Sequence, residues 1–332
     1  MPREKVIEVK GLTKIYNGKV LAVDHIEFEV YRGEIFGFLG PNGAGKTTTI
    51  NMLNTLIEPT EGEAIVGGYY LGKEDDKIRR IIGLVPQELT ADDELTGWEN
   101  IMLQGSLYGL KKSEIVDKAR MLLDMVDLSE AADRLVRTYS GGMRRRLELI
   151  MGLIHEPKIL FLDEPTLGLD VQTRANIWDY IRDIRSKYSM TIFMTTHYMD
   201  EADQLCDRIA IIDHGKIIAL GTPKELKERV KGDVVLVKLA VPIKNALKFD
   251  DIPGVKSYKL SGNKITFQVD RGEEATPEIL DRLIREGVKV SSIEVVKPSL
   301  EQVFLSLTGR SIREEEAEDM IKYRVMMRRR RR

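Results

Sequence analysis

The feature that most constrains this chain is an apolar run, Ile35-Phe36-Gly37-Phe38-Leu39, followed by Gly40-Pro41-Asn42-Gly43-Ala44-Gly45-Lys46-Thr47 and then by helical periodicity over residues 46–56. A wholly apolar strand is buried on both faces, the habit of parallel sheets covered by helices. Glycines in the connecting loop let backbone N–H groups converge on phosphate oxygens at a helix N-terminus, where the dipole also favours an anion. The match to G-x-x-x-x-G-K-T in this context marks a phosphate loop of the P-loop NTPase kind. Gly43 and Gly45 shape the cradle, Lys46 reaches the β- and γ-phosphates, Thr47 offers a hydroxyl to Mg²⁺, and Thr48 bonds the α-phosphate.

A second apolar run, Ile159-Leu160-Phe161-Leu162, ends in Asp163-Glu164. Paired carboxylates leaving a hydrophobic strand are costly unless a cation compensates them. Asp163 is assigned to the metal and Glu164 to the water that attacks, as general base. His197 follows a further strand, at Thr195-Thr196-His197, where ligands gather at the carboxyl edge of parallel strands. Gln87 follows the run at residues 81–85 and is placed within reach of Mg²⁺ or water.

Ser140-Gly141-Gly142 opens a helical segment with Leu147, Ile150, Met151 and Ile154 on one face. Ser140 suits an N-cap, and the glycines expose N–H groups to a phosphate. Arg144, Arg145 and Arg146 then fall in the first turn, the unfavourable end of the dipole for positive charge. Either a nearby anion relieves that cost, or the arginines form a solvated face with Glu148 as local partner.

Short alternating stretches over residues 6–30, broken by Asn17-Gly18, read as an antiparallel edge sheet. Residues 94–155 read as an inserted helical subdomain, with Leu103, Leu107 and Leu110, then Ala119, Leu122, Leu123 and Val126 at helical spacing. A boundary is expected at Gly232, giving a first domain over 1–231, a second over 232–309 and a charged tail over 310–332. The second shows strand, a short helix over 243–249, a hairpin through Gly262-Asn263, a helix from Pro277 and a last strand: a βαββαβ order of ferredoxin-like type. The fold class is therefore α/β, a mixed sheet core of the P-loop NTPase kind, followed by a small α+β domain.

At 332 residues the chain fits roughly two domains, since single cores stop growing near about 250 residues. A formal net charge of −2 argues against a chain built throughout for nucleic acid, and none is expected as a partner. Cys206 is the sole cysteine, which excludes an internal disulfide. No apolar run approaches the ~18 residues of a membrane span, and the start of the chain lacks a signal-peptide core, so a cytoplasmic location is expected.

In this order, the phosphate loop, Gln87, Ser140-Gly141-Gly142, Asp163-Glu164, Leu169-Asp170 and His197 resemble the ATP-binding cassette (ABC) ATPases of membrane transporters, over roughly residues 6–226. The resemblance implies that Tyr16 stacks on adenine and that two copies pair head to tail. Ser140, Gly141 and Gly142 of one would meet the γ-phosphate held by Lys46 of the other, with Asp170 across the interface and His197 on the γ-phosphate. Tyr139 and Met143 replace the commoner leucine and glutamine around Ser140-Gly141-Gly142. That form, with the closing segment at residues 299–309, is similar to the daunorubicin/doxorubicin-resistance exporter ATPases. It implies ATP and Mg²⁺ as cofactors, integral membrane permease subunits as partners, and a peripheral place on the inner membrane face. An alternative is a soluble ABC-type ATPase acting on nucleic acid or ribosomes, which usually carries a coiled-coil insertion or two cassettes; a third is a sensor or assembly module. The arginine run from Arg328 to Arg332 suits anionic lipid headgroups or a solvated end.

Overall fold

The structure, a computed structural model, describes residues 3–229, 232–241, 249 and 251–308. The chain opens with two long strands, β1 (Lys5–Tyr16) and β2 (Val20–Tyr31), joined by a turn in which Asn17 and Gly18 adopt positive φ. The apolar strand β3 (Ile35–Leu39) then feeds α1 (Lys46–Leu53), which ends ahead of the expected residue 56 because Thr55 turns left-handed. β4 (Glu61–Val66), β5 (Tyr69–Tyr70), α2 (Asp75–Ile81) and β6 (Ile82–Val85) lead to the helical insert of α3 (Gly97–Leu107), α4 (Lys112–Met125) and α5 (Gly141–Met151). The core resumes with β7 (Ile159–Asp163), α6 (Val171–Tyr188), β8 (Thr191–Thr196), α7 (Met199–Leu205), β9 (Arg208–Asp213) and β10 (Lys216–Gly221).

Two sheets result. β2-β1-β4-β5 is antiparallel, and β10-β9-β3-β8-β7-β6 is parallel except for the β9–β10 hairpin. In the second sheet β3, β7 and β8 are fully buried, as their composition demands. Phe28 of β2 packs on Phe36, Phe38 and Phe193 at ring separations of 5.5–5.9 Å, which welds the antiparallel sheet to the parallel one. Because β3 lies beside β8 and β8 beside β7, all parallel, their carboxyl ends bring three loops to one edge.

In the helical insert, Ala119, Leu122, Leu123 and Val126 are buried as expected. The leucines of α3 are not: Leu107 is 74% exposed and Leu103 is also exposed. α3 instead packs with Gly97, Asn100, Ile101 and Gly105, where the small glycine at position 105 admits Ile115 of α4.

Compact units divide at Pro223/Lys224, ahead of the expected Gly232. α8 (Pro223–Glu228) precedes β11 (Asp233–Leu239), β12 (Val255–Ser261), β13 (Lys264–Val269), α9 (Gly272–Arg285), β14 (Val290–Val296) and α10 (Leu300–Thr308). The sheet order β12-β13-β11-β14, antiparallel throughout, is that of a split βαβ. α9 starts before Pro277 rather than at it, because its buried stripe of Ala275, Ile279 and Leu283 begins earlier and tertiary packing outweighs one missing backbone bond. The helix expected over 243–249 lies outside the described residues except for Phe249, which is buried, and the tail with Arg328 to Arg332 lies outside them entirely.

Candidate active site

Gly45 is the hinge between strand and helix in the phosphate loop. Its φ of +106° and the 2.5 Å that would separate a Cβ from the Ala22 carbonyl oxygen exclude any side chain. That geometry starts α1 at Lys46, which is only 4% exposed. The Lys46 ammonium donates to the carbonyls of Gly40 (2.8 Å) and Pro41 (2.9 Å) and pairs with Glu164 Oε1 at 3.1 Å. Asn42, Gly43 and Thr47 are exposed and Thr48 is half-buried along the same loop.

Glu164, 6% exposed, is held on both carboxylate oxygens: Lys46 takes Oε1 and His197 Nδ1 lies 2.6 Å from Oε2. Burial pushes its carboxyl up, but the His197 hydrogen bond and the Lys46 charge together leave it below the usual carboxylate value. Asp163 shows the opposite balance. Its burial raises the carboxyl above the ordinary range, although Thr195 Oγ1 (2.5 Å) and Thr47 Oγ1 (3.3 Å) both donate to Oδ1. The structure thus brings Lys46, Thr47, Asp163, Glu164 and His197 into one cluster.

Ser140, Gly141, Gly142 and Asp170 form a second group. Ser140 caps α5 by accepting from Met143 N, and Asp170 caps α6, accepting from Thr173 N (3.0 Å) and Thr173 Oγ1 (2.6 Å). Those two hydrogen bonds hold the Asp170 carboxyl below its ordinary value. A Cβ on Gly142 would stand 2.5 Å from Thr173 Cγ2, so the two caps sit side by side, with Ser140 and Gly141 exposed. Gln87 lies exposed in the turn after β6, and Tyr16, at the end of β1, is also exposed with Lys14 Nζ 5.4 Å from its ring centre.

The three arginines of α5 do not form one solvated face, and Arg144 is the one whose partner is an anion, the Asp93 carboxylate. Arg144 pairs with Asp93 at 2.6 Å, and Arg146 donates to the Val126 carbonyl at 2.7 Å. Arg145 is buried on four carbonyls of the site's own loops. Glu148 is likewise buried, accepting from Thr90 N, Thr90 Oγ1 and Ala91 N rather than from a neighbouring arginine. Thr195 and Glu201 were also missed. Glu201 is fully buried, accepting from Thr166 Oγ1 (2.8 Å) and Trp178 Nε1 (3.0 Å) beneath the loop between β7 and α6.

Comparisons with known proteins identify the family. Residues 23–167 fit the ABC transporter family and residues 221–308 the ATP-binding protein DrrA1-3-like C-terminal domain. The chain is 38% identical to the linearmycin resistance ATP-binding protein LnrL of Bacillus subtilis, over 93% of this chain and 100% of LnrL. It is 40% identical to the daunorubicin/doxorubicin resistance ATP-binding protein DrrA of Streptomyces peucetius, over 92% and 93%. The chain belongs to the ATP-binding proteins of ABC transporters. Among solved structures, the dimeric post-hydrolysis ATP-binding cassette MJ0796 bound to ADP and Pi aligns with a TM-score of 0.59 and 26% identity, over 65% of this chain and 98% of that one. This ABC protein is thus an ATPase, similar over most of its length to ATP-binding proteins named for drug resistance. No helix among its described residues is long and apolar enough to cross a membrane.

Proposed function

We propose that this ABC ATPase is the energising subunit of an exporter, a head-to-tail dimer seated on separately encoded membrane subunits at the inner face of the membrane. The observation that carries it is the half-site: a buried Lys46–Glu164–His197 cluster, and a separate exposed cap at Ser140 and Gly141 that suits a second copy's nucleotide. The resistance roles named for LnrL and DrrA support the outward direction.

The Thr47 and Asp163 oxygens, 3.3 Å apart, are hard donors that fit Mg²⁺. Among the described residues no group of three His, Cys, Asp or Glu side chains could hold a metal, so this pair suits a cation that also takes nucleotide oxygens and water. Bound Mg²⁺–ATP would supply the transferable phosphoryl group and, in the metal, a positive charge that favours the ionised form of Asp163 against its burial. Lys46, paired here with Glu164 Oε1, would hold phosphate oxygens of the bound nucleotide instead. Glu164, with its second oxygen fixed by His197, would accept the proton of the attacking water. We assign Tyr16 to the adenine face, Asn42, Gly43, Gly45 and Thr48 to the phosphates, Gln87 to metal or water, and Asp170 to the dimer interface.

The exposed apolar stripe of Leu103 and Leu107 supports a contact between α3 and the membrane partner. Glu164→Gln should retain ATP and lose turnover, and an unmodified rate would refute the general-base role. The chain should co-purify with a membrane subunit, and Leu107→Glu should weaken that association. Deletion of Arg328 to Arg332 should lower binding to anionic vesicles; unchanged binding would dispose of a lipid contact there.

A further inference from the structure

We propose that Arg145 is a positioning residue for hydrolysis, a strut through which the helix bearing Ser140, Gly141 and Gly142 sets the backbone of Glu164; this rests on Glu164 as the base. The Arg145 guanidinium donates from Nε to the Pro165 carbonyl at 2.6 Å, from Nη1 to Pro86 at 2.6 Å, and from Nη2 to Asp163 at 3.1 Å and Glu164 at 3.0 Å. One planar fork, 5% exposed, thereby spans three consecutive peptides at the end of β7 and the residue before Gln87.

Glu164 needs such restraint. Its φ of +49° lies in the left-handed region, which a residue with a side chain keeps only where its surroundings over-determine it. Thr195 holds the Glu164 N–H through its hydroxyl (3.0 Å) and carbonyl (3.2 Å). Arg145 holds the carbonyls on the other side of the same residue. Without it the peptide is free to relax toward ordinary backbone angles, which would swing the carboxylate away from Lys46 and His197. Glu148, one turn further along α5, clamps Thr90 and Ala91, so that the same helix grips the Gln87 segment at both ends.

The test compares the full-length chain with Arg145→Met, Arg145→Lys and Glu164→Gln, by steady-state ATPase kinetics and by ATP binding. Both Arg145 variants should bind ATP within about threefold of the unsubstituted chain with little change in KM. kcat should fall on the order of 100-fold in Arg145→Met, as for a small misplacement of a reacting group. Arg145→Lys, which keeps the charge and part of the carbonyl bonding, should fall in between. A kcat within about twofold of normal in Arg145→Lys and Arg145→Met overturns the proposal. So does loss of ATP binding in step with turnover, or loss of folding in both variants, either of which marks a purely structural strut. If only Arg145→Met fails to fold, Arg145→Lys carries the same comparison. A normal rate in Glu164→Gln would instead sink the general-base role, whereas a dead Glu164→Gln beside fully active Arg145→Met and Arg145→Lys sinks this inference alone.

Discussion

Thr195→Val removes a single hydroxyl from the base of the site. The side chain is fully buried, donates to Asp163 Oδ1 at 2.5 Å and accepts from Glu164 N at 3.0 Å. Valine keeps the branched shape and loses both bonds. A hydrogen bond to a charged group contributes about 1.5–3 kcal/mol, and the second loss is nearer 0.5–1 kcal/mol, because Glu164 N retains the Thr195 carbonyl at 3.2 Å. The cassette should therefore lose about 2–4 kcal/mol of stability, read from its urea transition. There is a second consequence. The Thr195 hydroxyl opposes the effect of burial on Asp163, so its removal moves that carboxyl further above the ordinary range and weakens the metal site. With about 1.4 kcal/mol per factor of ten, the Mg²⁺ needed for half-maximal ATPase should rise roughly tenfold or more. The deficit should be larger at acidic than at alkaline pH, since protonated Asp163 is the impaired form. Thr195→Ser should recover most of both losses. Superimposable urea curves and Mg²⁺ curves for Val and Thr would show that the hydroxyl does not hold Asp163.

Gly142→Ala would place a methyl 2.5 Å from Thr173 Cγ2, an overpacking of about 1–3 kcal/mol between the two caps. Turnover should drop while ATP binding to the isolated chain is unchanged; equal activity in an ATPase assay would show that the close approach has no role. Glu201 is driven above the usual carboxyl range first by burial, with hydrogen bonds from Thr196, Thr166 and Trp178 pulling the other way. A raised carboxyl stabilises the fold below its unfolded pKa and loses that contribution as pH rises through the folded value. Glu201→Gln, neutral throughout, should therefore raise the melting temperature near neutral pH and confer little at about pH 4. A melting shift independent of pH would contradict this.

Much of the catalytic half of the site was legible because its residues sit at strand ends that composition alone identifies. Apolar runs placed β3 and β7, and Ile192-Phe193-Met194 between threonines placed β8, so the polar residues at their carboxyl ends had to lie on one edge of a parallel sheet. Arg145 was hidden among three arginines, since periodicity does not say which face of a helix meets which loop. Residues 145, 148 and 149 fall on one stripe of α5, and the burial of Leu149 beside Arg145 and Glu148 makes this helix buried nearly all round. An Arg–Glu pair on the stripe of an apolar residue was the available signal. Leu103 and Leu107 mislead in the opposite sense: their spacing is helical, but the face they mark is exposed. Thr195 follows the pattern of an ordinary strand residue and Glu201 belongs to no motif, so only contacts across 23 to 35 positions give them roles.

The central claim is that Lys46 of one copy and Ser140 of another close on the same ATP. Cys206, buried beneath β3, leaves no exposed native thiol among the described residues, whereas Asn42 and Ser140 are both exposed. One full-length Glu164→Gln chain carrying Asn42→Cys should be mixed with a second Glu164→Gln chain carrying Ser140→Cys and treated with a short bismaleimide. The account predicts a mixed covalent dimer that forms only with Mg²⁺–ATP. A cross-link yield unaffected by nucleotide, or no mixed dimer at all, would contradict it.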